Sequence, residues 1–479
     1  MVGTVCWARQ GVRWSDGDRN PRIHGFFPRR LQADSLAGVA SAFIESYALC
    51  ETFSRGSCVV PFPHTLAGVN STGLNGPENF RGKIKIEREG VALHWLDWLD
   101  IADTRSTCDG LFPMLITNGL LWKPARSEKN LAVAILYRLH KDPFVGVDMK
   151  AKAASHDIAR SLIMQVLAPG STEPESLEEA LSHMPAPKRE RIRRAYALLL
   201  EGELPARKKV HPKVDETISA KAIDEGENPT IKVRAIMSVD ALSHAMALPS
   251  ARMVAKELKA QFDGERLFSI QFKGATVLVR IVYASSLDQK GLDRLGDLLM
   301  GDDIVFAVAG DDMAISWGVL AKKVGGRFAE WDYSMFDQTQ DKDSFRTIKT
   351  TMLHLGVQED IVNMLVADSR MRYQVKRRGL RVWGQPGVMM PTGISITTTG
   401  NGLVNISAVL YVVTAVATGD MRPVPAIVKD LGFVAKYKVY DEISKISFLR
   451  GWWCELEEHM VWMPLPSAVL KIGDRKSVV

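Results

Sequence analysis

IVFAVAGDDMAIS, from Ile304 to Ser316, is the stretch on which the reading of the fold turns. An apolar run enters Gly310-Asp311-Asp312 and a second apolar run leaves it, the pattern of a hairpin with two carboxylates at its tip. Adjacent carboxylates repel one another. They are tolerable where water reaches both, or where a cation sits between them. Taken alone, the tripeptide also fits an acidic surface turn. Gly301-Asp302-Asp303 shows how little three residues decide, because it follows a helical pattern and reads as a loop.

Working outward, Gly326-Arg-Phe-Ala-Glu-Trp-Asp332 reads as a strand that ends on an acid, with Asp337 about one turn further on. An acid leaving a buried strand can join other carboxylates around a hard cation; the alternative is a helix cap at Asp332 with an exposed Asp337. Residues 384–393 are glycine-rich and read as a loop. It feeds a helix ending near Thr418, on which Thr397 and Asn401, four apart, share a face. The apolar part of that helix, Leu403 to Ala417, carries Asn405, Ser407 and Thr414 and reads as a buried helix, not a membrane span. Ala426 to Phe433 reads as a helix stopped by Gly432, with Lys436 and Lys438 beyond it. Ile446 to Gly451 reads as a short strand bearing Arg450.

Upstream, Lys232-Val-Arg234-Ala-Ile236 places two cations on one side of an extended segment. Asp240 to Phe262 reads as a helix interrupted near Pro249, and Leu267–Phe272 and Thr276–Tyr283 as strands joined by Gly274. A basic run from Lys188 to Lys213 fits either a solvated helix face or a phosphate-tracking surface. The 479 residues, 46% hydrophobic and 24% charged, exclude collagen, coiled coil and wholesale disorder. The net charge of +6 permits a nucleic-acid partner without requiring one. Five scattered cysteines, none in a CxxC pair, indicate neither a disulfide framework nor structural zinc. The N-terminus has no continuous apolar core of the secretory kind.

Together these segments resemble the palm of a viral RNA-dependent RNA polymerase. Asp332-x4-Asp337 resembles palm motif A. Gly393-x3-Thr397-x3-Asn401 resembles motif B, with Thr392 where the family usually has Ser. Gly310-Asp311-Asp312 resembles motif C, Lys232 to Ile236 the fingers motif F, the Leu431-Gly-Phe…Lys segment motif D, and Phe448-Leu449-Arg450 motif E. The hairpin precedes motif A, so the order is C-A-B, similar to the permuted palms of birnaviruses and permutotetraviruses. Gly-Asp-Asp, where birnavirus-like enzymes carry Ala-Asp-Asn, points to the permutotetravirus-like side. Permutation is physically acceptable, because a site needs its groups close in space and loop-closure entropy grows only logarithmically with length.

The resemblance implies an α+β right-hand fold with an antiparallel palm sheet backed by helices and a truncated or absent thumb. It implies an N-terminal region and fingers over 1–228, fingers with motif F over 229–300, palm over 301–445, and motif E with the start of a thumb over 446–479. The implied reaction is nucleotidyl transfer from NTPs to an RNA 3′-hydroxyl, with two Mg²⁺ (or Mn²⁺) ions held by Asp311, Asp312 and Asp332. Lys232 and Arg234 would grip the triphosphate, Asp337 and Asn401 the ribose 2′-hydroxyl, with Gly393 and Thr397 lining the nucleotide site. Lys438, or Lys436, would be the general acid, and Arg450 would support the primer backbone. Implied partners are RNA template and primer, NTPs, and a missing thumb segment or other replicase proteins. The implied location is the host-cell cytoplasm. The competing expectations are a reverse-transcriptase-like enzyme, disfavoured by Asp337 with Asn401, and a non-catalytic RNA-binding relic.

Overall fold

The computed structural model describes residues 80–101, 108–111, 121–124, 127–171, 173–182, 184–202, 208–212, 218–219, 234–238, 241–285, 287–457 and 459–464. Helices and antiparallel-rich sheets alternate along the chain, an arrangement compatible with the α+β class.

Two six-stranded sheets organise the molecule. The first is built from Lys83–Arg88 (β1), Val91–Leu93 (β2), Lys208–Pro212 (β5), Ala235–Ser238 (β7), Arg370–Arg377 (β13) and Leu380–Val388 (β14), in the order β2-β1-β14-β13-β5-β7. Cys108–Leu111 (β3), Leu121–Pro124 (β4) and Ile218–Ser219 (β6) form a small separate sheet. The second large sheet contains Asp263–Phe272 (β8), Ala275–Tyr283 (β9), Ile304–Ala309 (β10), Asp312–Ser316 (β11), Phe328–Tyr333 (β12) and Ala435–Tyr440 (β15), in the order β15-β12-β11-β10-β9-β8. All its pairings are antiparallel except β9 with β10, which run parallel and are joined through the Gln289–Met300 helix. Gly451–Leu456 (β16) and His459–Pro464 (β17) make a terminal hairpin.

Turn chemistry fixes the hairpins. Lys273 (φ 48) and Gly274 (φ 78) are both left-handed between β8 and β9, as a two-residue type I′ turn demands. Between β10 and β11 the last paired residues are Ala309 and Asp312. Gly310, at φ 66, therefore fills the first central position of a two-residue turn, the position a type II′ turn gives to glycine.

The Thr397–Ala417 helix is buried almost all round. It lies in the main core with the Met149–Val166 and Lys342–His354 helices and the inner face of the second sheet. Among the described residues it is the one helix long and apolar enough to cross a membrane by length and composition, and here protein surrounds it.

Three expectations are corrected. Residues 384–388 are not loop but the end of β14, paired with β1 and β13. Pro386 is accommodated where the β13–β14 register shifts between Met371 and Tyr373, a bulge that needs no donor from it. The Ala241–Gln261 helix continues through Pro249. The tertiary burial of its Leu248, Ala251, Val254 and Leu258 outweighs the missing backbone donor. Ile446 to Arg450 is not a strand; the strand begins only at Gly451. Leu449 (φ 51) and Arg450 (φ 62) turn the chain, closed by reciprocal backbone bonds between Phe448 and Gly451 of 2.9 and 3.0 Å.

Candidate active site

The β10–β11 turn places Asp311 and Asp312 at the end of the second sheet, and β12 lies against β11 with Met313 opposite Trp331. One residue further along, β12 reaches Asp332, which is in the strand and not at a helix cap. Trp331 and Tyr333 point into the core, so alternation sends Asp332 and Glu330 to the other face. Met335, at φ 56, then swings the chain into the short Phe336–Thr339 helix bearing Asp337.

The acids feel one another. Burial raises the Asp311 carboxyl above the ordinary range, and the charges of Asp337 and Asp332 push it further, against Arg234. Asp312 is raised to about 6 by burial, then by Asp311 and Asp332, with Arg450 and Arg234 opposing. The Asp332 carboxylate has turned to Lys436, its cross-strand neighbour, with Nζ 2.8 Å from Oδ2. Among the described residues no three acidic, His or Cys side chains stand at metal-ligating spacing as the chain rests.

Asp337 is held at both oxygens. Thr392 Oγ1 donates to Oδ2 at 2.6 Å and Asn401 Nδ2 donates to Oδ1 at 2.8 Å. The loop that makes this possible is anchored by backbone bonds from Met390 N–H to the Asp337 carbonyl (2.9 Å) and from Met237 N–H to the Thr392 carbonyl (3.1 Å). Gly393 has φ 108, and a Cβ there would meet the Met237 carbonyl oxygen at 2.8 Å. The Thr397 hydroxyl is turned inward. It donates to the Pro391 and Ile394 carbonyls and accepts from the Gly393 N–H, so it shapes the loop and does not face a ligand.

The structure thus brings Asp332, Asp337 and Arg234 into electrostatic range of Asp311, and Asp332, Arg234 and Arg450 into range of Asp312, with Asn401 bonded to Asp337 and Gly393 packed in the loop that holds it. Lys438 lies apart, two residues further along β15. It pairs with Glu330 at 3.5 Å, and Lys436 alone of the two reaches Asp332. Lys232 lies outside the described residues.

Two residues escaped sequence reasoning. Gln340, fully buried, donates from Nε2 to Asn401 Oδ1 at 2.6 Å and so fixes which end of that amide faces Asp337. Asn405 donates to the Gly310 carbonyl at 3.2 Å and accepts from the Tyr333 hydroxyl at 3.0 Å, tying the helix to the turn and to β12. The signal for Asn405 was available, since an amide in an apolar helix must find partners. Gln340 carried no comparable signal.

Compared with known proteins, the chain matches no family model, and no curated protein is significantly similar to it.

Proposed function

We propose that this chain is an RNA-directed RNA polymerase with a permuted palm, and that its second sheet and surrounding helices form the palm of a right-hand polymerase. The observation that carries the reading is the meeting of three separated stretches. The Asp311-Asp312 turn, the Asp332 strand end and the Asp337–Asn401 pair share one electrostatic neighbourhood.

The donor types suit divalent cations, and holding them would require Asp332 to leave Lys436 and close on the Asp311-Asp312 turn. Asp311 and Asp312 are held partly out of water with raised carboxyls, a repulsion that a hard cation relieves. Asp311, Asp312 and Asp332 would hold two Mg²⁺ or Mn²⁺ ions, which when bound supply charge neutralisation and activation of the 3′-hydroxyl. The chain's own groups do the positioning. The Arg234 guanidinium can bind a triphosphate bidentately. Asp337 Oδ2, now receiving the Thr392 hydroxyl, is the acceptor a ribose 2′-hydroxyl would share. A site built for that hydroxyl rejects a sugar lacking it, because its polar groups are left unpaired. Lys436 Nζ, 2.8 Å from Asp332, would give a proton to the leaving pyrophosphate, and the pairing of Lys438 with Glu330 makes it the weaker candidate. Arg450, facing Asp312, would hold a primer phosphate.

The test is template-directed extension of an RNA primer with labelled NTPs and Mg²⁺ or Mn²⁺. Wild type extends, and Asp311→Asn loses detectable extension while its thermal midpoint is kept. Extension at the normal rate in Asp311→Asn would overturn the reading.

A further inference from the structure

One face of the β2-β1-β14-β13-β5-β7 sheet is core: Ile86, Val382, Val375, Tyr373, Val210 and Met237 all point into it. The register fixes what the other face shows. Lys209 stands opposite Gln374, Gln374 opposite Trp383, and Trp383 opposite Lys85, so these four side chains form one row across four strands. At about 4.8 Å per strand the row spans roughly 14 Å. Beside it Lys376 stands directly opposite Arg381, and on the other flank lies Lys83.

Lys83, Lys85, Lys209, Lys376 and Arg381 are all exposed on this face, and Glu87 is the one acid in register with them. Glu87 pairs with Lys85 at 2.7 Å; among the described residues the other four cations have no salt bridge. Two like charges directly opposite each other destabilise a sheet; Arg381 has Glu87 opposite it on its other side, but Glu87 is drawn to Lys85, and among the described residues Lys376 has no acid directly opposite it. The half-buried Trp383 lies under Lys85, whose Nζ is 5.7 Å from the ring centroid. The face begins beside the site, because β7 is the sheet edge bonded to the Thr392 carbonyl.

We propose that this sheet face is a binding platform for single-stranded RNA. Lys and Arg track phosphates, the Trp383 ring offers a stacking surface once Lys85 swings to a phosphate, and the Gln374 amide can read a base edge. Sheets that carry aromatics among cations bind two or three unpaired bases in this way. A duplex, with its bases stacked internally, has no use for Trp383. The polymerase reading enters only in identifying the strand as template on its way to the Gly393 loop.

The test uses the full chain and a fluorescein-labelled oligouridylate, titrated across a salt series. Lys376→Gln with Arg381→Gln weakens binding by roughly tenfold near 0.1 M salt. The log–log salt slope becomes shallower by about 1.4, the value for two lost contacts at about 0.7 each on a single strand. Its thermal midpoint changes little, since the like-charge pair and the Glu87–Arg381 cross-strand neighbours are removed together. Trp383→Leu weakens binding by about tenfold with the slope unchanged. Wild-type affinity and slope in the double variant overturn the platform, and so does a wild-type preference for duplex RNA or phosphatidylserine vesicles over the oligouridylate. Because binding is read without catalysis, such a failure leaves the Asp311→Asn extension result standing on its own.

Discussion

Asp312 shows how one side chain reports the state of the site. Its carboxyl is raised to about 6, by burial first and then by Asp311 and Asp332. Between the ordinary 3.8 and about 6 the folded protein keeps a proton that the unfolded chain has released. This group's contribution to stability is therefore full at low pH, falls as pH rises through that window, and stays lost above it. Cation-free Asp312→Asn is expected to be the more stable protein at pH 7, by up to about 3 kcal/mol, and to lose that advantage at pH 4. Denaturant midpoints of the two proteins at both pH values check this. His140 and His156, buried imidazoles lowered to about 4, run the opposite way, but they are common to both proteins and cancel in the difference. At this scale the acids were legible because charge must be accounted for wherever it falls. Gln340 was not, because an amide's role is decided by the partner it meets.

Among the elements, the loop before the Thr397–Ala417 helix is the most constrained. Gly393 and Gly387 share φ 108, yet only Gly393 lies against backbone; a Cβ at Gly387 meets nothing within 4 Å. Gly387→Ala is expected to show backbone strain alone, on the order of 1–3 kcal/mol. Gly393→Ala adds displacement of the loop from β7, so its KM for NTPs rises several-fold more than that of Gly387→Ala in the extension assay. Equal effects would mean that the Met237 contact is unimportant. The hairpin β10–β11 and the long helix were legible because each is a local pattern closed by its own turn or period. The end of β14 was not: Gly384, Pro386 and Gly387 argue against a strand locally, and the pairing that overrides them comes from β13 across a bulge and, as far as Gln385, from β1, some three hundred residues away in sequence.

On the scale of the whole molecule, Lys152 binds the N-terminal half to the site's supports. Its side chain is fully buried, with Nζ 2.8 Å from Asp341 Oδ2 and 3.4 Å from Asp343 Oδ2. Asp341 caps the Lys342–His354 helix and directly follows Gln340. Gly432 packs on the lysine stem, where a Cβ would meet Cε at 2.7 Å. Lys152→Met removes the ammonium from two buried carboxylates, of which Asp343 keeps Arg346 at 3.8 Å, and is expected to cost about 3 kcal/mol. Adding Asp341→Asn and Asp343→Asn should recover much of that loss in the same denaturant assay; no recovery would show that the lysine acts through packing alone. The order of the Gly310–Asp312 hairpin, the Asp332 strand and the Thr397 helix was readable along the chain because spacing and flanking apolarity travel with each segment. The parallel β9–β10 pair and the composition of the first sheet were not, since each joins strands whose partners are chosen only when the core closes.

The Lys436–Asp332 pair has one more consequence. An ammonium tethered to the neighbouring strand stands at high effective concentration beside the carboxylate. Free sodium or potassium carries no more charge and has no tether, so it competes poorly for that oxygen. A doubly charged ion brings twice the attraction and can evict the resident. On the proposed polymerase reading, the strand pairing would thereby favour doubly over singly charged ions at that oxygen, and only modestly, because both side chains are about half exposed.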